Sequence, residues 1–318
     1  MKFSTRILSI VALALSAALP ARAAETMEIK PQWQAGKRYY ETMQTDQVSS
    51  FEVAGKKMEQ STSMTIELTM TVSPHQDGQP KRMTIRYERM AMEVDINGQK
   101  MGFDSANPGA SGDPLNLSKT MGATVGQELK VVFNDKDEIA DIENYDEFVS
   151  HFGAAATPGF DPKKMFNKEA LTEMMKQGAL RATPGKPVTV GDSWEFSNQI
   201  DLPALGKVVV KGNYTLKGIG DHNGVRCAEI EMDGQLSMDI GEAKGDAASP
   251  FSELGMKVSN GTLKGPMWFD PQLGMARDSQ LVQEVTISMK NPADPTTMME
   301  MPMKQNISMK LTKVEDVK

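Results

Sequence analysis

Cysteine is almost absent from this sequence. The single thiol, Cys227, cannot form an intramolecular disulfide, and zinc sites built on several cysteines are excluded. Histidine is nearly as scarce. His75, His151 and His222 show no His-x-x-x-His or His-Glu-x-x-His spacing, so the zinc-hydrolase pattern is missing. No Gly-x-Ser-x-Gly elbow exposes a nucleophilic serine, and no Gly-x-x-x-x-Gly-Lys loop cradles a phosphate. With 35 Lys and Arg against 42 Asp and Glu, the net charge is −7 and no basic face forms. Nucleic acid is therefore not expected as a partner. No cofactor is expected either. Only one long apolar run exists, Ile7 to Leu19; nothing later approaches the ~18 residues of a spanning helix, so no transmembrane segment is expected in the mature chain.

What is present begins with that run. Lys2 and Arg6 precede it, and Pro20-Ala21-Arg22-Ala23 follows it with a small-x-small site. A basic start, a short apolar stretch and such a site read as a signal peptide over 1–23, cleaved near Ala23. No cysteine follows to carry a lipid. Cleavage takes away three positive charges and no negative one, leaving −10. The expected product is exported, periplasmic or extracellular. Cys227 falls in Val225–Met232, where Ala228, Ile230 and Met232 share one strand face and Cys227, Glu229 and Glu231 the other. No cationic setting activates this thiol, so a structural cysteine is expected.

Most of the remaining chain alternates with period two. Met64, Ile66, Leu68, Met70 and Val72 are separated by Thr65, Glu67, Thr69 and Thr71, as on a half-buried strand. Asp77-Gly78 favours a tight turn. The return strand carries Met83, Ile85 and Tyr87 at odd positions, then Met90, Met92, Val94 and Ile96 at even ones. The change of parity predicts a β-bulge at Glu88–Arg89. The second half repeats the plan: Val208, Val210, Tyr214 and Leu216, a turn at Asn223-Gly224, then Ala228, Ile230, Met232, Leu236, Met238 and Ile240. Gly36-Lys37-Arg38-Tyr39 matches Gly191-Asp192-Ser193-Trp194, and Val131-Val132-Phe133-Asn134 matches Met267-Trp268-Phe269-Asp270. Internal duplication accounts for these matches; two unrelated meanders of similar length are the alternative.

The halves diverge after Ile139 and Met275. The second continues into a strand from Leu281 to Met289 and a last strand bearing Ile307, Met309 and Leu311. The first turns helical, with Ile142, Tyr145, Phe148, Val149 and Phe152 at three- and four-residue steps. A second helix is expected from Asp161-Pro162, where an N-cap precedes a proline at the first helical position. The expected fold is mainly β (α+β). Residues 24–140 and 185–318 form a duplicated curved antiparallel β-sheet unit, a sandwich or half-barrel, with the two-helix insert 141–184 on its concave side. The leader, the two Gly-x-x-aromatic strand openers and Phe103-Asp104-Ser105 resemble an uncharacterised exported bacterial β-rich family. That resemblance implies fold and export, and no activity. A looser likeness in fold is to periplasmic lipoprotein-carrier half-barrels.

No catalytic constellation emerges, and an enzyme is not expected. Gly102-Phe103-Asp104-Ser105-Ala106 is similar to the catalytic loop of two-lobed aspartic proteases, but the second half offers Phe269-Asp270-Pro271, with proline in place of the hydroxyl residue. A turn-forming Asp104 is the simpler reading. The unusual feature is methionine. Beyond residue 23 there are 24 Met against 15 Leu, and many fall on inward strand positions. Methionine is flexible and polarizable, so a wall made of it can repack around irregular apolar shapes. Ile66, Leu68, Met70, Met90, Met92, Ile230, Met232, Leu236 and Met238 are therefore the candidate lining for a lipid or apolar client, with residues 141–181 as a cover. Gap-filling in an ordinary core, in an envelope structural or interaction protein, is the other reading. Met298, Met299, Met301 and Met303 sit in an expected hairpin connection, where thioethers select Cu(I) or pack onto the sheet.

Overall fold

The computed structural model describes residues 25–53, 56–74, 76–108, 121–155, 167–180, 183–202, 206–239, 257–291 and 294–317. The leader, His75, Ile240 and Asp161-Pro162 lie outside them. Within them the alternating pattern becomes long strands, because each residue of a pleated strand faces opposite to its neighbour. The first half forms β1 (Thr26–Met27), β2 (Lys37–Val53), β3 (Lys56–Val72), β4 (Arg82–Ile96), β5 (Gln99–Asp104), β6 (Glu128–Phe133) and β7 (Ile139–Ile142). Two helices follow, α1 (Tyr145–Ala155) and α2 (Lys168–Leu180). The second half adds β8 (Val188–Thr189), β9 (Ser193–Leu202), β10 (Gly206–His222), β11 (Val225–Asp239), β12 (Lys257–Asp270), β13 (Met275–Asn291) and β14 (Asp294–Asp316).

β1 and β8 pair with each other; the rest form one sheet in the order β7-β6-β4-β3-β2-β14-β13-β12-β11-β10-β9, with β5 beside β4. The chain starts near the centre, meanders to the β7 edge, crosses through the helices to the β9 edge, and meanders back until β14 lies antiparallel to β2. Laid flat, ten ladder steps at ~4.8 Å would hold those edges roughly 48 Å apart. Yet α2, about 20 Å long, packs against both β7 and β9. The sheet is therefore curled, with the helices on its concave side. Lys168 at the start of α2 pairs with Asp141 of β7 at 2.7 Å.

The concave face is filled by two apolar cores. Tyr39, Met70, Val72, Met83, Ile85, Val131, Phe133 and Leu311 pack with Tyr145, Phe148 and Val149 of α1. Tyr87 stacks on Phe148 at 6.0 Å. In the other half Phe196, Tyr214, Leu216, Ala228, Ile230, Met232 and Phe269 pack with Met27 and Val188 of the small β1–β8 pair and with Ile29 just after β1. Both cores occupy the same end of the long strands, hereafter the covered end.

Local signals recur in the two halves. Gly36 and Gly191 adopt φ of +74° and +98°, open to glycine without strain. Each donates its N–H to the last carbonyl of the neighbouring strand's apolar run, Val72 and Leu216. The parity change in β4 is a bulge: Glu67 faces Arg89 and Leu68 faces Tyr87, leaving Glu88 extra. A further bulge, not signalled by parity, displaces Lys217 in β10.

Two expectations need correction. Ile142 ends β7 instead of starting α1, because Val131 draws it into a ladder. Met298–Met303 is not a connection but part of β14, held by cross-strand pairing to β13 from Lys290 to Val285. The expected helix start at Asp161-Pro162 lies outside the described residues; α2 as described begins at Lys168, where Asn167 Oδ1 accepts the Ala170 N–H at 2.7 Å.

Candidate functional site

Strand register arranges the concave face in rows. From the covered end outward, one row runs Tyr87–Leu68–Glu41–Leu311, and the next Met90–Ile66–Met43–Met309–Ser279–Met267–Ile230–Leu216. Beyond it come Met92–Met64–Thr45–Ile307–Leu281, and then Gln47, Gln305 and Gln283 side by side on β2, β14 and β13. From the second of these rows outward many side chains are half-buried, while Met90, Leu216, Ile230 and Ser279 in the second row, Tyr214 and Met232 in the next, and Val94, Ser49 and Val285 farther out are buried.

The nine candidate lining residues all lie on this face. Met70 belongs to the first core, and Ile230 and Met232 to the second, while Met90 is buried beside them. Ile66, Leu68, Met92, Leu236 and Met238 are half-buried. The structure gathers them in two groups, on β3–β4 and on β11. Five ladder steps separate β3 from β11, roughly 24 Å along the sheet. Of the expected cover, the described helices α1 and α2 lie at the core end of the face. The glutamines, absent from the sequence-based lining, are half-buried amides in a row of apolar neighbours.

Glu41 was missed by the sequence reading. Between Tyr39 and Met43 on an inward face, it stands opposite Leu68 on β3 and Leu311 on β14. Burial pushes its carboxyl from the ordinary 4.5 up to about 7. The signal was available as an acid at an inward position, but its desolvation depends on β14, distant in sequence.

The convex face is polar. A hollow of about 460 Å³ there is lined by Arg38, Tyr40, Thr69, Thr71, Arg86 and Glu88 among others. Its charges are already engaged: Arg38 Nε donates to Thr71 Oγ1 at 3.0 Å, Thr69 Oγ1 to Glu88 at 3.0 Å, and Tyr40 Oη to Glu315 at 2.6 Å.

The residues weighed for chemistry are held apart. Asp104 takes two hydrogen bonds from Arg89, at 3.0 and 2.8 Å, and one from the Ala106 N–H; the Arg89 guanidinium holds its carboxyl below the usual range. Asp270 is 1% exposed, pairs with Arg277 at 2.7 Å and accepts the Gln272 and Leu273 N–H groups that turn the chain after β12. Each carboxylate thus serves its own arginine. Cys227 is buried, and burial, followed by the Asp270 charge, pushes its thiol up. His222 stacks on Trp268 at 4.4 Å and lies 3.4 Å from Asp278. His151 lies on α1. Among the described residues no group of three His, Cys, Asp or Glu could hold a metal. Met299, Met301 and Met303 share the concave face, with Met298 on the other; the strand spaces alternate residues ~6.8 Å apart instead of gathering them as a loop would. No helix of the described residues is long and apolar enough to cross a membrane.

A family of unknown function, DUF6263, matches residues 78–276. The chain belongs to this family. The DUF6263 match runs from the hairpin before β4 to the start of β13 and so includes both halves and the helical insert. The likeness to a family without an assigned activity is borne out. A comparison with curated proteins returns no match. Among solved structures, a lipovitellin structure concerned with lipid–protein interactions is 8% identical, with a TM-score of 0.48 over 90% of this chain. The chain spans only 26% of that lipovitellin chain. An outer membrane lipoprotein-sorting domain from Vibrio parahaemolyticus is 7% identical with a TM-score of 0.15, covering 86% of this chain and 85% of its own. A DUF1329 protein from Desulfovibrio piger is 9% identical with a TM-score of 0.13, covering 85% of each chain. TM-scores below 0.5 do not define a shared fold with any of the three.

Proposed function

We propose that this protein is an exported, non-enzymatic binding protein that holds an apolar ligand or client segment on the concave face of its sheet. The observation that carries this reading is the half-buried apolar band beyond the cores: Met43, Ile66, Met64, Met92, Ile307 and Met309 on one side, Leu236 and Met238 on the other. Thioethers can repack around irregular acyl or aliphatic shapes, and burying such a band gains roughly 25 cal/mol per Å². Met70, Met90, Ile230 and Met232 form the floor beneath the ligand, and the helices close the covered end. The basic-apolar-small leader supports export, and the matched strand openers at Gly36 and Gly191 support descent of the two β units from one ancestor.

Native mass spectrometry with lipid extraction, on mature protein taken gently from its own host, tests the reading. The expected result is a co-purifying apolar mass that Met92→Asp or Leu236→Asp removes without unfolding the protein. A bare mass from wild type contradicts it. The burial of four of the nine lining residues favours a second reading, an envelope interaction protein with a filled interior, which predicts that bare mass.

A further inference from the structure

We propose that Gln47, Gln305 and Gln283 form a hydrogen-bonding seat for the carbonyl of an uncharged fatty-acyl ester or amide, whose hydrocarbon lies on the methionine-rich wall beside them. This rests on the reading of the concave face as a binding surface, and it names the class of ligand that the face takes. Register sets the three amides side by side on β2, β14 and β13, so adjacent strands hold them ~4.8 Å apart. All three are half-buried. None has a hydrogen-bond or ion-pair partner among the described residues. Each amide offers donors as well as an acceptor, and a few such groups in an apolar wall are what fixes a ligand's orientation.

The row is a polar line across an apolar surface. Thr45, Ile307 and Leu281 flank it toward the covered end, and Ser49, Met303 and Val285 on the other side. From Met43 to Ser49, Met299 to Met309 and Ser279 to Met289, the concave positions of these strands carry no charge. Glu41, the nearest acid on that face of β2, stands ~20 Å from Gln47. A ligand carboxylate or phosphate would lose its water here and gain no cation, a strongly unfavourable exchange. A polypeptide matches no better. It brings an N–H and a carbonyl every ~3.4 Å, and the apolar rows on either side of the amides would leave them unsatisfied. An acyl ester or amide brings its carbonyl set in hydrocarbon, which one row of donors satisfies. Two residues beyond the amides the β2–β14 ladder ends, at the Met303–Ser49 pair. The cleft that opens there measures about 750 Å³ and joins Ser49, Val285 and Met303 of the concave face to Lys57, Glu284 and Lys304 of the convex one. The alcohol or amine part of the ligand thus has a way to water beside its carbonyl.

Displacement of N-phenyl-1-naphthylamine from the mature protein by methyl dodecanoate and by dodecane tests the assignment. The two carry similar hydrocarbon, so the ratio of their displacing concentrations reads the carbonyl. Gln47→Leu combined with Gln305→Leu, which keeps side-chain bulk, should shift that ratio against the ester about tenfold or more relative to wild type. In infrared difference spectra, the carbonyl band of bound, isotope-labelled ester should lie at the lowered frequency of a hydrogen-bonded carbonyl in wild type and at its hexane position in the variant. Equal ratios in the two proteins, an unshifted band in wild type, or equal loss of ester and dodecane overturns the seat and leaves the concave face a binding surface. Absence of dye binding by wild type overturns that reading and the seat with it. Stronger displacement by a Met-Thr-Met-Thr-Met-Thr-Met peptide than by the ester gives the amides to a polypeptide and overturns the proposal as well. If the double variant fails to fold, Gln305→Leu alone, the central amide, takes its place; if that fails too, the wild-type band decides.

Discussion

The two ends of the same strands behave differently. At the covered end, Tyr39, Val72, Leu216 and Ile230 are closed over by α1 or the β1–β8 pair. Several strand residues outward, side chains of the same kind on the same face are half-buried, and methionines such as Met43, Met64, Met92 and Met238 prevail. Composition follows cover. Branched and aromatic side chains with defined rotamers prevail where packing is complete, and adaptable thioethers are more frequent where no other described element covers the face. An apolar strand pattern thus specifies a face, but not whether the protein itself fills it.

Truncation should expose this difference most strongly. Leu216→Ala, in a fully buried position, should cost about 2–5 kcal/mol in urea unfolding, while Leu236→Ala on the open band should cost under ~1.5 kcal/mol. Equal losses would erase the distinction between the ends. Glu41, at the boundary, should come next. Its folded carboxyl titrates near 7 against an ordinary 4.5, so the folded protein holds a proton that the unfolded chain releases. The resulting destabilisation is absent below about pH 4.5, grows as pH rises toward 7 and is complete above it, at roughly 3 kcal/mol. Glu41→Gln should therefore stabilise the protein at pH 8 by up to that amount and change little at pH 4. Identical gains at both values would show that the carboxyl is not desolvated. Smallest is the helix cover: Asn167→Ala removes the cap on α2 and should cost ~1 kcal/mol, seen as faster amide exchange in the first turn at Lys168–Ala170.

Much of the fold could be read where chemistry is local. The parity flip between Tyr87 and Met90 located the bulge at Glu88, and Asp77-Gly78 and Asn223-Gly224 located turns. Alternation around Ala228 placed Cys227 with Glu229 and Glu231, away from the apolar face, and so did not signal its burial. What escaped depends on distant partners. Met298–Met303 was expected as a hairpin connection, but β13 holds that segment extended. Ile142 fits a helical step as well as a strand, and Val131 decides the matter. The stacking of His222 on Trp268 depends on β12 lying beside β11. Of the proposed lining, sequence supplied the face correctly. It could not separate Ile230, under the β1–β8 pair, from Leu236 beyond it, because cover comes from elements far away in the chain. Glu41 and the Gln47–Gln305–Gln283 row were missed for a related reason, since pairing of β2 with β14 joins the two ends of the strand system.

The central claim is that the open band of the concave face accepts an apolar molecule. Titration of the mature protein with N-phenyl-1-naphthylamine, whose fluorescence rises in apolar surroundings, tests it most directly. Wild type and a convex-face variant, Thr65→Asp, should show the same saturable rise, and Met92→Asp and Leu236→Asp should reduce it at least fivefold while remaining folded. No saturable rise in wild type, or an undiminished one in both concave-face variants, would contradict the account.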